Sequence, residues 1–348
     1  MADRSMLCFR FNLPGIRSVC MVLIRLSICI VIVSALTHAQ ESLPSSLGRV
    51  TAGRYDNQGQ QLVLATEGAL KLLVLKDVPG NENLPALDGQ AREERFKSGR
   101  SILQDRSIEL PFSQITQVEF SPDRKSLLIA GGDPGQRGCI QILSWPSGTS
   151  SNIIETYVDG KQLSDVVMDV KWFEDGSKWI ETHWNAGACV RSRDGMILAC
   201  FQGHTGPVTG GIPWNSELAI TCGIDQTIKL WKISNGDLVR SLDNHTSAVL
   251  GVLRWNTPTG KPLLISLGRD RTLRLWDPAI GRLIRFVRLP ALPLKMEFSD
   301  SGGLVVLLEN GTVSLVSLPD LTIQETIALE IPSVTTLVRI DHGRWLYW

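Results

Sequence analysis

The sequence predicts an all-β chain folded as a β-propeller, a ring of four-stranded antiparallel sheets. Three observations carry that expectation. A short pattern, apolar–x–aromatic before a polar turn and an apolar run, recurs with anchors at Tyr55, Phe120, Trp172, Trp214, Trp255, Phe298 and Ile340. From Trp172 onward the anchors stand 41–43 residues apart, the period of small sheets in a radial array. Within a unit, apolar residues alternate with polar ones between turns rich in Asp, Asn and Gly, which marks strands rather than helices.

Each unit reads the same way along the chain. The apolar–x–aromatic step puts two apolar residues on one face of an inner strand. A turn leads to a β-branched or leucine-rich second strand, as in Leu218-Ala219-Ile220 and Leu263-Leu264-Ile265. A tight turn carrying Asp225 or Asp270 leads to a third strand ending in Trp231 or Trp276. Ser234-Asn235-Gly236-Asp237 or Pro278-Ala279-Ile280-Gly281 then turns the chain into an outer strand. One such sheet cannot bury both faces alone, so the units pack face to face. Seven anchors imply seven blades. The last is expected to be incomplete, because Arg344-Trp345-Leu346-Tyr347-Trp348 falls inside its second strand and Glu41–Gly48 is too short to supply what is missing. An open apolar edge there is an expected docking or aggregation site. Residues 77–107, with Pro79-Gly80-Asn81-Glu82-Asn83 and Arg92-Glu93-Glu94-Arg95, read as a mobile loop insertion in the first blade.

Residues 1–39 differ in kind. Arg4, Arg10, Arg17 and Arg25 face Asp3 alone, the apolar run Leu26–Leu36 follows, and Thr37-His38-Ala39 closes the segment with small residues at the cleavage positions. This is the order of a secretory leader, expected to be cut after Ala39, with Met21 an alternative start. The apolar run is shorter than the roughly twenty residues that span a bilayer; an uncleaved anchor is the rival reading. The propeller then occupies residues 40–348, with no further membrane span, and the protein is expected in the periplasm or outside the cell. The whole chain is neutral, with 35 basic and 35 acidic residues. That balance argues against a general nucleic-acid binder, which needs a basic footprint.

Two passages are nearly complete copies. Gly203-His204-Thr205-Gly206-Pro207-Val208 runs through Asp225-Gln226-Thr227-Ile228-Lys229-Leu230-Trp231. His245-Thr246-Ser247-Ala248-Val249 runs through Asp270-Arg271-Thr272-Leu273-Arg274-Leu275-Trp276-Asp277. These passages resemble the WD40 repeat family. The resemblance implies a hydrogen-bonded set inside each blade, carried here by His204, Thr221, Asp225 and Trp231, and by His245, Ser266, Asp270 and Trp276. Asn244 stands where the family has Gly. The resemblance is strong over 203–277, weaker at 115–148 and periodic elsewhere. The unit at 170–200 lacks the His and Asp of the pattern and places Trp179, His183 and Trp184 in its middle. The long turn Gly131–Gly138 is similar to repeats of exported bacterial proteins in which WD40 units accompany c-type haem modules. No Cys-x-x-Cys-His occurs, so no haem is expected on this chain. A remnant of a longer protein of that kind remains an alternative.

Four cysteines remain after the leader: Cys139, Cys189, Cys200 and Cys222. They fit no zinc spacing. Cys189 and Cys200 lie symmetrically about Asp194-Gly195, a hairpin signal. That register puts them opposite each other at a hydrogen-bonded position, so two separate buried thiols are favoured over a disulfide. Between 261 and 295 eight basic residues face only Asp270 and Asp277. Arg269, Arg271, Arg282, Arg285 and Arg288 are candidates for binding an acidic partner. Trp179 and Trp184 are candidates for a ligand-binding face. No nucleophile elbow, zinc-protease motif or phosphate loop occurs, and His183, His204, His245 and His342 fall in separate units. The expected function is therefore a non-catalytic scaffold for protein partners, without metal or cofactor. The alternative is an extracellular propeller hydrolase or lactonase, although no acidic or histidine cluster is identifiable on the inner strands.

Overall fold

In the computed structural model, residues 50–56, 61–75, 96–98, 102–158, 161–162, 165–329, 334, 336–339 and 345–347 are described. Six sheets have four antiparallel strands each, ordered as they occur in the chain. Blade 1 holds β1 (Ala52–Asp56), β2 (Gln61–Ala65), β3 (Ala69–Leu75) and, after a short strand β4 (Phe96–Ser98) that belongs elsewhere, β5 (Ile102–Glu109). Blade 2 holds β6 (Gln114–Phe120), β7 (Ser126–Asp133), β8 (Arg137–Ser144) and β9 (Ser150–Glu155). A two-stranded hairpin, β10 (Tyr157–Val158) with β11 (Lys161–Gln162), precedes blade 3. Blade 3 holds β12 (Val167–Trp172), β13 (Lys178–His183), β14 (Ala188–Ser192) and β15 (Ile197–Phe201). Blade 4 holds β16 (Val208–Pro213), β17 (Leu218–Gly223), β18 (Ile228–Lys232) and β19 (Leu238–Leu242). Blade 5 holds β20 (Val249–Asn256), β21 (Pro262–Gly268), β22 (Thr272–Asp277) and β23 (Arg282–Arg288). Blade 6 holds β24 (Pro293–Phe298), β25 (Leu304–Leu308), β26 (Thr312–Ser317) and β27 (Thr322–Ala328).

Among the described residues the four-stranded blades number six, where the anchors imply seven with the last one incomplete. The seventh sheet has three strands: β28 (Leu337–Arg339), β29 (Trp345–Tyr347) and β4. Its third strand comes from within the first blade's insertion and pairs parallel to β29, Trp345 opposite Phe96. Ile340 and His342, residues 1–49, and the two polar runs at 79–83 and 92–95 lie outside the described residues.

The core is a series of clusters, each shared by two neighbouring blades. Val63, Leu70 and Leu72 of blade 1 meet Ile115, Val118 and Ile129 of blade 2. Leu128, Ala130 and Ile140 meet Val167, Trp172 and Trp179. The same pattern continues through blades 3–4, 4–5 and 5–6. Val305, Leu307 and Val313 of blade 6 meet Val334, Leu337, Trp345 and Tyr347 of the seventh sheet. Each face of a sheet is apolar because each has a neighbour, which is why the second strands read as unbroken apolar runs rather than alternating ones.

A threonine device repeats between inner strands. Thr51 Oγ1 donates to Ile115 O at 2.7 Å, Thr116 Oγ1 to Val167 O at 2.6 Å, and Thr209 Oγ1 to Val249 O. Thr336 Oγ1 donates to Val50 O at 3.3 Å, linking the seventh sheet to the first blade in the same step. Blades 1 and 2 are further clamped by buried Asp56, which accepts from Trp145 Nε1 at 2.7 Å and Arg124 at 3.2 Å. Among the described residues no helix is long and apolar enough to cross a membrane.

Candidate functional site

The eight residues implied by the resemblance form two chains of hydrogen bonds, one in blade 4 and one in blade 5. His204 Nδ1 lies 2.8 Å from Asp225 Oδ2 and His204 Nε2 2.8 Å from Thr221 Oγ1; Trp231 Nε1 donates to Thr221 Oγ1 at 2.7 Å. In blade 5 the corresponding distances are 2.8 Å to Asp270, 2.7 Å to Ser266, and 2.8 Å from Trp276. The chemistry fixes the direction of each bond. A carboxylate only accepts, so Nδ1 carries the proton; the neutral ring then accepts at Nε2 from the hydroxyl, whose oxygen accepts from the indole. Burial holds both imidazoles below their ordinary pKa, against the pull of the aspartates. Burial alone would raise Asp270, but Thr272, His245 and the Thr246 N–H outweigh it and bring it down to about 2. Asp225 is lowered in the same way. Thr221 and Ser266 are fully buried, so each hydroxyl faces the blade interior and not solvent.

Blade 3 is wired differently. Register places His183 opposite Val167, the position of Gly223 opposite Val208 and of Gly268 opposite Val249. A Cβ at Gly268 would meet His245 Nδ1 at 2.5 Å, so glycine is required where the ring arrives from the preceding loop. In blade 3 the ring grows from the strand itself. Glu181 takes the place of Thr221 and Ser266. It accepts from Arg191 Nε at 2.9 Å and Trp179 Nε1 at 3.3 Å, and His183 Nε2 lies 3.3 Å away. Burial favours protonation of Glu181, but His183 and Arg191 outweigh it and hold its pKa down. Trp179 is fully buried, which removes it from any ligand-binding face; Trp184 is half exposed on the adjoining turn.

Cys189 and Cys200 are bonded in the structure, with Cα atoms 4.1 Å apart. The expectation of two separate thiols is corrected, and the reason is a β-bulge. Val190 pairs Ala199 but Arg191 pairs Ile197, so Leu198 is extra. The bulge changes the parity predicted from a plain two-residue hairpin, and the short Cα separation is that of a narrow pair whose side chains converge.

A second group was not singled out from the sequence. Arg54 on β1, Glu119 on β6, Lys171 on β12, and Lys295 and Glu297 on β24 meet at the axis. Arg54 and Lys171 each lie 2.9 Å from Glu119 Oε2, Arg54 lies 3.7 Å from Glu297, and Lys295 3.8 Å from Glu297. Asp169 of β12 accepts from Gln117 at 3.0 Å and from Gly211 N at 3.3 Å. These five ion-pairing side chains are 20–30 % exposed. Burial pushes Lys295 down to about 8, partly offset by Glu297. Glu119 is held at about 2 because Lys171 and Arg54 overcome its desolvation, and burial raises Asp169. The inner strands thus do gather acidic groups, contrary to expectation, but each is committed to a cation or a donor. The signal was present: Arg54, Glu119, Lys171 and Glu297 precede the aromatic anchors.

The candidate arginines spread over one flank of blade 5. Arg269 is exposed on the β21–β22 turn and Arg271 is partly exposed beside it with φ 59°. Arg282, Arg285 and Arg288 are exposed on β23, and Arg285 reaches Asp320 at 3.1 Å. Ile280, Ile284 and Phe286 stand exposed among them.

Four-stranded blades, two of them threaded by imidazole, hydroxyl, carboxylate and indole, define a β-propeller. Residues 195–232 and 236–277, which contain the two hydrogen-bonded ladders, match the family model described as WD domain, G-beta repeat. No curated protein matches the chain. Propellers of this family generally hold protein partners and are typically non-catalytic.

Proposed function

We propose that the protein is an exported scaffold that binds an acidic protein partner on the flank of blade 5. The observation that carries this reading is the patch of Arg282, Arg285 and Arg288 interleaved with exposed Ile284 and Phe286. Apolar side chains exposed among cations suit an interface that gains burial and charge complementarity together. Export is supported by the leader-like residues 1–39 and by the Cys189–Cys200 bond, since disulfides persist in oxidising compartments. The test is cross-linked affinity capture from the native envelope. The wild type recovers a partner in stoichiometric amount, and Arg285→Glu with Arg288→Glu loses it. Equal recovery by the charge-reversed protein ends the proposal.

A propeller enzyme working at the axis is the second reading, favoured by Glu119, Asp169 and Glu297 gathered there. Against it stands their commitment to Arg54, Lys171, Lys295 and Gln117. A calcium-dependent rise in melting temperature, abolished by Glu297→Gln, supports that reading.

A further inference from the structure

We propose that blade 3 contains a metal site that its disulfide keeps closed, with Glu181, His183 and Cys189 as ligands for zinc. One ligand atom from each lies within 4.8 Å of the other two, and all three residues are fully buried. The arrangement follows from the pleat. Residues two apart on β13 share a face, and Cys189 is the direct cross-strand neighbour of Glu181 on β14. Three side chains on one face of two adjacent strands converge without any loop having to fold around them.

An independent observation points to a ligand. His183 is wholly buried, yet Nδ1 has no hydrogen-bond partner and Nε2, 3.3 Å from a Glu181 oxygen, makes no well-formed hydrogen bond. In blades 4 and 5 both imidazole nitrogens are paired, at 2.7–2.8 Å. An unsatisfied buried imidazole is costly, and a neutral imidazole is among the commonest zinc ligands. Glu181 also exceeds its structural need. The hydroxyl that holds the other two blades together is replaced by a carboxylate, whose oxygens have lone pairs beyond those that Arg191 and Trp179 occupy. Arg191 would then act as an outer support, fixing the carboxylate from behind.

The third ligand is masked. While Cys189 is bonded to Cys200 it has no thiolate to offer. A dithiol reductant opens the bond: the S–S bond breaks, two electrons and two protons pass to the cysteines, and the reductant leaves as its own disulfide. Cys189 then releases its proton to solvent as its sulfur binds the ion. The two positive charges of zinc meet the thiolate and the Glu181 carboxylate. The blade thus has two alternative staples, a covalent bond between β14 and β15 or an ion between β13 and β14. Among the described residues the other two cysteines, Cys139 and Cys222, are buried in other blades and are not part of the set.

The experiment uses the whole protein and two probes, zinc and cobalt(II). The oxidised protein takes up no equivalent. After reduction with a phosphine, which does not compete for the metal, it takes up one, and the cobalt form shows a thiolate-to-metal charge-transfer band. Cys200→Ser frees Cys189 permanently and is expected to bind one equivalent without reductant. In that background His183→Gln loses the bound equivalent, and Cys189→Ser loses both uptake and the band. Circular dichroism and melting of each variant verify the fold. Uptake equal in the oxidised and reduced protein, or a charge-transfer band that survives Cys189→Ser, overturns the site. So does a folded Cys200→Ser protein that binds no cobalt.

Discussion

Thr336 donates a hydrogen bond from its hydroxyl to the carbonyl of Val50, 286 residues away in the chain, at 3.3 Å. The same step joins Thr51 to Ile115 and Thr116 to Val167 between consecutive blades. The sheet, three-stranded among the described residues, therefore occupies a regular place in the ring, between blades 6 and 1. Gly53 agrees: a Cβ there would stand 2.6 Å from a Val338 methyl carbon.

The ladders in blades 4 and 5 should be strong and independent. Thr221→Val removes an acceptor for Trp231 and a donor to His204 while keeping the shape of the side chain. The two orphaned groups are fully buried, so the loss is expected to be about 2–4 kcal/mol. Ser266→Ala should cost a similar amount. The double variant should show the sum, because the hydroxyls share no partner. Urea unfolding followed by tryptophan fluorescence measures all three, and strong non-additivity would contradict separate ladders.

Acid stability should track Asp270. Its folded pKa of about 2 lies below the usual carboxylate value near 3.9. Its contribution is then fully present above about pH 4 and disappears as pH falls toward 2, and amounts to about 2–3 kcal/mol at neutrality. His245 acts in the same direction: with its folded pKa lowered, the unfolded chain takes up the proton first as pH drops below about 6.5. Asp270→Asn should flatten the acid limb of a melting-temperature profile and lower the neutral plateau.

Lys295 predicts the opposite end of the scale. Its pKa is depressed to about 8 from 10.5. Unfolding therefore takes up a proton between those values, and the protein gains stability as pH rises across that window. Lys295→Met should stabilise the protein at pH 7 by a few kcal/mol at most, since the amine is one-quarter exposed. The advantage should vanish above about pH 10.5. An unchanged slope of stability against pH would show that Lys295 is freely solvated.

Opening the Cys189–Cys200 bond should cost about 2–3 kcal/mol, the loop being eleven residues long. Denaturation with and without phosphine, in the presence of a chelator, reads that difference alone. Zinc added to the reduced protein should restore part of it if the blade 3 site forms.

The ladders were legible because each member has a fixed chain offset from the next, and two adjacent copies share the offsets. Blade 3 was not, because its imidazole comes from the second strand, at a position where the neighbouring blades need glycine. The disulfide was half legible: symmetry about Asp194-Gly195 brought the cysteines opposite each other, and the bulge at Leu198 that turns them together has no sequence mark. The axial charges were hidden for a different reason. Alternation shows that Glu119 and Lys171 point away from their apolar neighbours, but their meeting with Arg54 and Glu297 depends on closure of the whole ring. The seventh unit was read as incomplete, but the parallel strand that enters it from the first insertion has no local pattern to announce it.

That strand has a bearing on how the molecule comes into being. Phe96–Ser98 is made early and must wait for Trp345–Tyr347, nearly 250 residues later, before it has a neighbour to pair with. Until then the growing chain holds stacked blades with two open ends. The latch is therefore the slowest contact to form in principle, and a chain caught before it closes offers both ends to a chaperone or to another copy of itself.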